Sequence, residues 1–279
     1  MTTRDSSVTT ARVVRAEKSP APAASLWRRL RDRRWEIVRW ISPVVLLLIW
    51  QAGSAAGIIP ADILPAPQTI GRAGIELVGN GELAAALRVS GLRAFEGLLL
   101  GGTIGITLGT LVGLSRWMDA AIDPSMQMLR ALPHLGLIPL FILWFGIGEL
   151  PKVLLVALSA AFPLYLNTSS AIRQVDPRLF ETAEVLGFSL WQRLRIIIIP
   201  SAAPQVLVGL RQSLAISWLT LIVAEQINAD AGVGYLINNA RDFLRIDIII
   251  FGLVVYALLG IVTDALVRIL ERRALRYRD

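Results

Sequence analysis

Residues 173–204 of the chain read RQVDPRLFETAEVLGFSLWQRLRIIIIPSAAP. This is the one long polar stretch between segments that are apolar enough to lie in lipid. Asp176 is placed to cap a helix that begins at Pro177, where the missing N–H of proline costs nothing. Gly187 can supply the left-handed turn after that helix. The pattern therefore predicts a short helix from about Pro177 to Leu186.

A second helix signal follows directly in the same stretch. Ser189 and Gln192 have the spacing of a capping box, which predicts a helix that continues through the isoleucine run and ends at Pro200. In the first helix, Leu179 and Ala183 share an apolar face with Leu186, and charged residues occupy the other faces. Two capped helices at an angle suit a surface that another protein binds. An amphipathic helix lying on a membrane surface is the alternative.

The composition indicates a membrane protein. Of the 279 residues, 54% are hydrophobic, whereas soluble domains contain about 45–50%, and the mean hydropathy is +0.60. The chain has no cysteine and one histidine, which excludes thiolate metal sites and a histidine cluster within one chain. We therefore predict an all-α polytopic membrane protein without catalytic, cofactor-binding or metal-binding residues.

Six apolar segments are each close to the roughly 20 residues that a helix needs to cross hydrocarbon. They are residues 41–59, 89–114, 131–148, 153–170, 206–223 and 248–269. With the amino terminus inside, the inner segments hold 21 basic residues and the outer segments hold 5. The excess of inner positive charge predicts that both termini and the polar stretch are cytoplasmic.

This topology divides the chain into four parts. They are a tail over residues 1–40, a first transmembrane helix over 41–60, a transmembrane domain over 80–272 and a tail over 273–279. The first tail holds ten basic and four acidic residues, with arginines and tryptophans just before the first span. Such a run could bind nucleic acid, but its position favours an anchor at the cytoplasmic membrane surface. We expect a bilayer contact here, no nucleic acid and no signal peptide.

Glycines mark the second span at intervals of four residues. They are Gly97, Gly101, Gly105, Gly109 and Gly113. A row without side chains lets a neighbouring helix approach closely, and in lipid this close packing drives helix association. The row predicts a tightly packed bundle without identifying its function.

Prolines and a glycine interrupt the third span. Pro133, Gly136 and Pro139 prevent one regular helix, so carbonyl groups freed at that depth must face protein or a water-filled cavity. Such broken helices often line transport pathways. His134 lies at the break and is a candidate pathway residue, either as a proton relay or, as we favour, as a simple hydrogen-bonding group.

Charged and polar residues near the fifth and sixth spans give two further candidate sets. Arg211 and Asp264 lie at similar depth, and they either pair or extend separately to the inner interface. Trp218, Glu225 and Gln226 lie toward the outer end of the fifth span, next to a polar outer segment. We expect that end to contact a solute or a receptor, although outer loops are polar in general.

The polar stretch also resembles a known signature. Glu181-Thr182-Ala183, Gly187 and Ile197-Ile198-Ile199-Pro200 resemble the EAA motif of permease subunits of binding-protein-dependent ABC importers, with Thr182 and Ile199 in place of the usual alanine and leucine. Residues 139–152 resemble the same importer family. Three other segments narrow the resemblance to aliphatic sulfonate permeases, which are relatives of the taurine and nitrate permeases. These segments are residues 172–177, 218–226 and 256–260.

The resemblance implies a type I ABC importer (MetI-like) fold that works by alternating access. Two permeases, identical or different, form one pathway, a dimer of ATPase subunits lies beneath it, and a solute-binding protein delivers the solute outside. Residues 177–199 become coupling helices that insert into the ATPase. The docking residues are Glu181, Thr182, Ala183, Gly187, Ile197 and Pro200. The chain has no phosphate-binding loop, so ATP and Mg²⁺ belong to the partner ATPase.

Two other classes of protein remain open from the residues alone. A secondary transporter or channel would need no ATPase and would leave the capped cytoplasmic helices unexplained. An intramembrane enzyme would need paired catalytic groups within the spans. Aliphatic sulfonate is the expected substrate, and taurine, nitrate or another small solute are the alternatives.

Overall fold

The computed structural model describes residues 41–275, and within this range every regular element is helical. The helices are α1 Ile41–Ala55, α2 Pro67–Gly79, α3 Glu82–Leu114, α4 Arg116–Ala131, α5 Ile138–Phe145, α6 Glu149–Arg173, α7 Pro177–Val185, α8 Leu190–Arg193, α9 Ile199–Asn228, α10 Val233–Asp242 and α11 Ile246–Ala274. A 3₁₀ turn, His134–Leu137, precedes α5, and a π-helical turn, Leu194–Ile198, joins α8 to α9.

Four helices of residues 41–275 are long and apolar enough to cross a membrane. They are α3, α6, the continuous run Leu190–Ile227 and α11. The segments Arg116–Ala131 and His134–Phe145 qualify only together and are bent by 85°. The sequence predicted a broken third span, and the structure places this bend at Pro133. The predicted first span is helical over Ile41–Ala55, which is shorter than the other apolar helices. The predicted tail over 1–40 lies outside the described residues, as do residues 276–279 of the predicted tail over 273–279.

The glycine row lies on the side of α3 that packs against α6. Each of its five members faces an atom of α6 so closely that a Cβ would collide with it. At Gly109 a Cβ would lie 2.7 Å from the carbonyl oxygen of Tyr165, and at Gly101 it would strike the carbonyl oxygen of Ala157. The backbones of the two helices are therefore in direct contact, as the spacing predicted.

Helix α6 is the centre of the bundle. It packs against α3 on one side and α9 on the other, and it is the most buried of the four long helices. An apolar cluster that includes Val156, Leu221, Val233 and Tyr256 joins α6 to α9, α10 and α11. Helix α11 is the least buried of the four, so most of its surface remains for lipid or a partner.

The helix signals in the polar stretch act locally as predicted. The Asp176 side chain accepts a hydrogen bond from the Arg178 N–H at 2.9 Å, and Gly187 has φ +67°. Ser189 and Gln192 form both hydrogen bonds of a capping box. Helix α7 is one residue shorter than expected, since it ends at Val185.

The prediction that the second helix ends at Pro200 is wrong. The helical run continues from Leu190 to Ile227, and Pro200 lies in the first turn of α9. The π-helical turn before α9 shifts the backbone ladder by one residue. Because this ladder is already interrupted, the missing N–H of a proline there does not stop the helix.

Candidate coupling surface and outer polar cluster

Helices α7 and α8 expose an apolar and acidic surface at one end of the bundle. We call this the coupling surface; it comprises Glu181, Thr182, Glu184, Val185, Leu186, Leu190 and Trp191. Val185 is 89% exposed and Leu190 is 84% exposed. Apolar side chains grouped in this way on a polar segment are typical of a protein-binding surface.

The residues of the EAA-like motif divide between this surface and the interior. Ala183 is buried, while Glu181 is exposed and the Thr182 hydroxyl donates to the carbonyl of Arg178 at 2.8 Å. Ile197 is half-buried. The remaining members, Gly187 and Pro200, lie at the turn after α7 and at the start of α9. Ala183 therefore points inward, whereas Leu186, expected on the same face, is 62% exposed.

Apolar packing attaches the coupling surface to the rest of the bundle. Ala171, Ile172, Ile198 and Ala202 form a buried apolar cluster, and Phe180 of α7 packs against it. The Arg193 Nε–H donates to the Phe188 carbonyl at 3.1 Å, which closes the turn between α7 and α8. A movement imposed on α7 is therefore transmitted to the ends of α6 and α9.

The predicted partners Arg211 and Asp264 lie together in a larger network. Arg211 Nε is 3.0 Å from Asp264 Oδ1, so the two side chains form an ion pair. The Nε–H of Arg211 does not form a hydrogen bond with this oxygen. Arg211 Nη2 also donates to Glu271 at 3.0 Å, and Asp264 contacts Arg268 at 2.6 Å. The side chains of Arg211 and Asp264 are 39% and 34% exposed. They form a half-exposed network of four charges and not an isolated buried pair.

The candidate His134 packs against the ring of Phe162, and its Nε2 forms neither the relay contact nor the hydrogen bond suggested by the sequence with any described residue. Its ring centroid is 5.2 Å from that of Phe162, edge to face. Among the described residues, its Nε2 has no hydrogen-bond partner. No described residue continues a proton path from this atom.

Trp218 and Glu225 both lie in the interior, and Glu225 is at the centre of a buried polar cluster. Trp218 packs edge to face against Tyr256, with ring centroids 6.2 Å apart. The Glu225 side chain has no exposed surface, and its carboxylate accepts hydrogen bonds from Ser90, Arg93, Gly234 N–H and Tyr256 at 2.7–3.0 Å. Glu225 joins α9 to α3, α10 and α11, and in this conformation it is closed to a solute. Gln226 beside it is half-buried.

Arg93 completes this cluster, and sequence reasoning missed its role. We call this group the outer polar cluster, after the outward orientation that the sequence predicts for this end of the bundle; its members are Ser90, Arg93, Glu149, Lys152, Glu225 and Tyr256. The Arg93 guanidinium binds the Glu149 carboxylate with two nitrogens, and Nη1 donates to Glu225 at 2.7 Å and to the Ala231 carbonyl at 2.6 Å. Lys152 Nζ donates to Glu149 at 3.2 Å. The side chains of Arg93 and Lys152 are 4% and 3% exposed, whereas Glu149 is 62% exposed.

The outer polar cluster thus balances two cations with two carboxylates. The sequence did contain a signal for it, because an arginine within an apolar span requires a buried partner. The spacing could not name that partner.

Comparison with known proteins identifies the family. The model described as "Binding-protein-dependent transport system inner membrane component" matches residues 101–276. The chain belongs to this family. It is a multi-pass membrane permease, a transport subunit and not an enzyme, and this decides against the secondary transporter and the intramembrane enzyme that the residues alone left open.

Relatives of this permease cover most of its length. The putative aliphatic sulfonates transport permease protein SsuC of Bacillus subtilis is 46% identical to it, and the alignment covers 85% of this chain and 86% of SsuC. The taurine transport system permease protein TauC of Escherichia coli is 32% identical to this chain, and the alignment covers 88% of this chain and 93% of TauC.

A solved structure shows the same fold. An inward-facing conformation of the MetNI methionine ABC transporter superposes with a TM-score of 0.55 at 16% identity, covering 67% of this chain and 94% of that chain. The permease therefore has the all-helical fold of MetI-like importer subunits.

Proposed function

We propose that this permease moves a small organosulfur anion, an aliphatic sulfonate, into the cytoplasm by alternating access. The observation that carries the proposal is the 46% identity to an aliphatic sulfonates permease, against 32% to a taurine permease over a similar length. Taurine is itself a sulfonate with an added ammonium group, so the oxyanion is the shared chemistry.

Energy enters at the coupling surface. Helix α7 has nine residues, which is too few for stability in water without packing. Its apolar side chains must therefore be covered by lipid or by a protein. The negative charge of the cytoplasmic leaflet repels Glu181 and Glu184, whereas a groove with basic residues accepts them. A separate ATPase subunit, which holds ATP and Mg²⁺, is the partner that we assign to this surface.

The remaining partners follow from the same assignment. A second copy of this chain completes the pathway as a homodimer, and an extracytoplasmic solute-binding protein delivers the anion at the opposite end. The excess of arginine in the predicted inner segments orients the coupling surface and both termini toward the cytoplasm. Closure of the ATPase pair then moves α7, and α6 and α9 move with it because the apolar cluster beneath α7 joins the three.

Uptake measurements test the substrate. The permease, co-expressed with its ATPase and its binding protein in a strain deleted for the native system, is offered radiolabelled alkanesulfonate, taurine and nitrate. We expect uptake that depends on ATP, with alkanesulfonate preferred. Preference for nitrate, or uptake that continues without the ATPase, contradicts the proposal. A strain carrying the ATPase and the binding protein without the permease is the control.

A further inference from the structure

Three amide side chains form a hydrogen-bonded row between α6 and α9. Asn167 Nδ2 donates to the Pro163 carbonyl at 2.8 Å and to Gln212 Oε1 at 3.0 Å, and Asn167 Oδ1 accepts from Gln205 Nε2 at 2.7 Å. We call Asn167, Gln205 and Gln212 the amide row. Because a carbonyl can only accept, the contact with Pro163 fixes the orientation of the Asn167 amide, and this orientation fixes the other two.

The amide row lies on an accessible face of the bundle. Gln205 and Gln212 are exposed, and so is Ser201, which lies one turn before Gln205. Residues 201, 205 and 212 are spaced by four and seven, so they share one side of α9. The Nε2 group of Gln212 donates to no described residue, and that of Gln205 uses one of its two hydrogens.

Contact with lipid would be unfavourable for this face of α9. Hydrocarbon offers no hydrogen-bond partner, so polar groups at membrane depth face protein or water. Toward the coupling surface, the row continues into a cavity of about 480 Å³ that is lined in part by Gln174, Ser201 and Gln205. Asp176 lines it too, and its carboxylate accepts the capping hydrogen bond from the Arg178 N–H at the start of α7. On the other side of Gln212 the same face of α9 becomes apolar, since Ile216 and Leu219 are 37% and 67% exposed. From Ser201 to Leu219 on this face, the exposed hydrogen-bonding side chains are therefore those on the coupling side of Ile216.

The face that carries the amide row has no charge of its own. Arg211 is the neighbouring cation in the chain, and its guanidinium contacts Asp264 and Glu271. Amide N–H groups attract an oxyanion without the full charge of a cation. A passage must bind a solute strongly enough to admit it and weakly enough to release it. Uncharged donors meet both conditions for a sulfonate that leaves toward the cytoplasm.

We infer that the amide row lines the solute passage on the cytoplasmic side and donates hydrogen bonds to the oxyanion group of the solute. The inference deepens the proposed function and rests on it for the identity of the anion. Gln212 makes the first of these contacts, because it is the member farthest from the coupling surface and has a free NH₂ group among the described residues.

Cysteine labelling tests the passage in this naturally cysteine-free chain. Gln212→Cys is compared with Ile261→Cys, which is 61% exposed on α11 and equally far along its helix from the end on the coupling side. The complex with its ATPase and binding protein is reconstituted in vesicles, and a negatively charged, membrane-impermeant thiol reagent is added on both sides. We expect labelling of Gln212→Cys at least about ten times faster than of Ile261→Cys, with protection by alkanesulfonate. Equal rates, or no protection, overturn the inference, since lipid or the second copy would then cover the face.

Two substitutions of Gln212 test whether its amide acts as a hydrogen-bond donor. Gln212→Glu is isosteric but replaces the NH₂ donors by a negative oxygen, whereas Gln212→Asn keeps an amide. We expect alkanesulfonate uptake to fall at least about ten-fold in Gln212→Glu, as loss of a charge-assisted hydrogen bond implies, and to fall less in Gln212→Asn. Co-purification of the ATPase confirms assembly of both. Equal uptake by the two variants overturns the donor role.

The two proposals fail in different ways. If the wild-type permease transports nitrate instead of alkanesulfonate, the substrate assignment fails, and the labelling experiment is repeated with nitrate as the protecting anion. If the wild type transports alkanesulfonate but Gln212→Cys is not labelled, only the inference about the amide row fails.

Discussion

The outer polar cluster should be far more important for stability than the charge pair that the sequence suggested. Arg93→Met removes the guanidinium that neutralises the fully buried Glu225 carboxylate. The carboxylate then remains charged and unpaired in the interior. Breaking a buried pair by removing one partner costs about 3–5 kcal/mol. At about 2–4 °C per kcal/mol for a chain of this size, the melting temperature should fall by roughly 6–20 °C.

A double-mutant cycle separates the pair from its surroundings. Glu225→Gln keeps the shape of the side chain and removes its charge, and the double variant Arg93→Met/Glu225→Gln leaves no buried charge unpaired between these two positions. The double variant should therefore be more stable than the sum of the single losses predicts, by about 0.5–3 kcal/mol. Thermal unfolding of the purified complex in detergent, followed by tryptophan fluorescence, gives all three values.

The network around Arg211 provides the matched control. Arg211→Met and Asp264→Asn break a contact between side chains that are 39% and 34% exposed. Arg211 and Asp264 each have a second partner, Glu271 and Arg268 respectively. Exposed pairs contribute about 0–1 kcal/mol, so each change should shift the melting temperature by no more than about 4 °C. If Arg93→Met costs no more than Arg211→Met, or if the losses at Arg93 and Glu225 simply add, the assignment of a buried pair is refuted.

Three further predictions concern packing and coupling. Gly101→Ala should destabilise the bundle by about 1–3 kcal/mol, because the added Cβ would strike the Ala157 carbonyl. Gly91→Ala on the same helix is the control, since a Cβ there meets nothing within 4 Å and should cause no such loss. Thermal unfolding compares the two variants. Gly187→Val should abolish uptake at normal membrane levels of the protein, since φ +67° is strained for valine, and normal vesicle uptake would contradict this. Glu181→Lys should weaken co-purification of the ATPase, and Glu82→Lys, far away at the start of α3, should not; equal retention by both would remove Glu181 from the interface.

The local features of this protein could be predicted from its sequence. Asp176, Gly187 and the Ser189–Gln192 capping box act over a few residues, so their positions in the chain were enough to predict the start of α7, its end to within one residue, and the start of α8. The glycine spacing predicted a close helix contact for the same reason, because a four-residue period places all five glycines on one side of α3. The family resemblance carried by the EAA-like motif also lay within one short segment.

The contacts between residues far apart in the chain could not be predicted in this way, because they depend on the packing of the helices. Arg93 and Glu225 are 132 residues apart, and the hydrogen bonds between them depend on how α3, α6 and α9 pack. The same holds for the amide row, where Asn167 and Gln212 belong to different helices. The continuation of α9 through Pro200 depended on a π-helical turn that the isoleucine run did not reveal. A local pattern specifies hydrogen bonds that close within one or two turns, whereas contacts between helices depend on the orientation of each helix in the bundle.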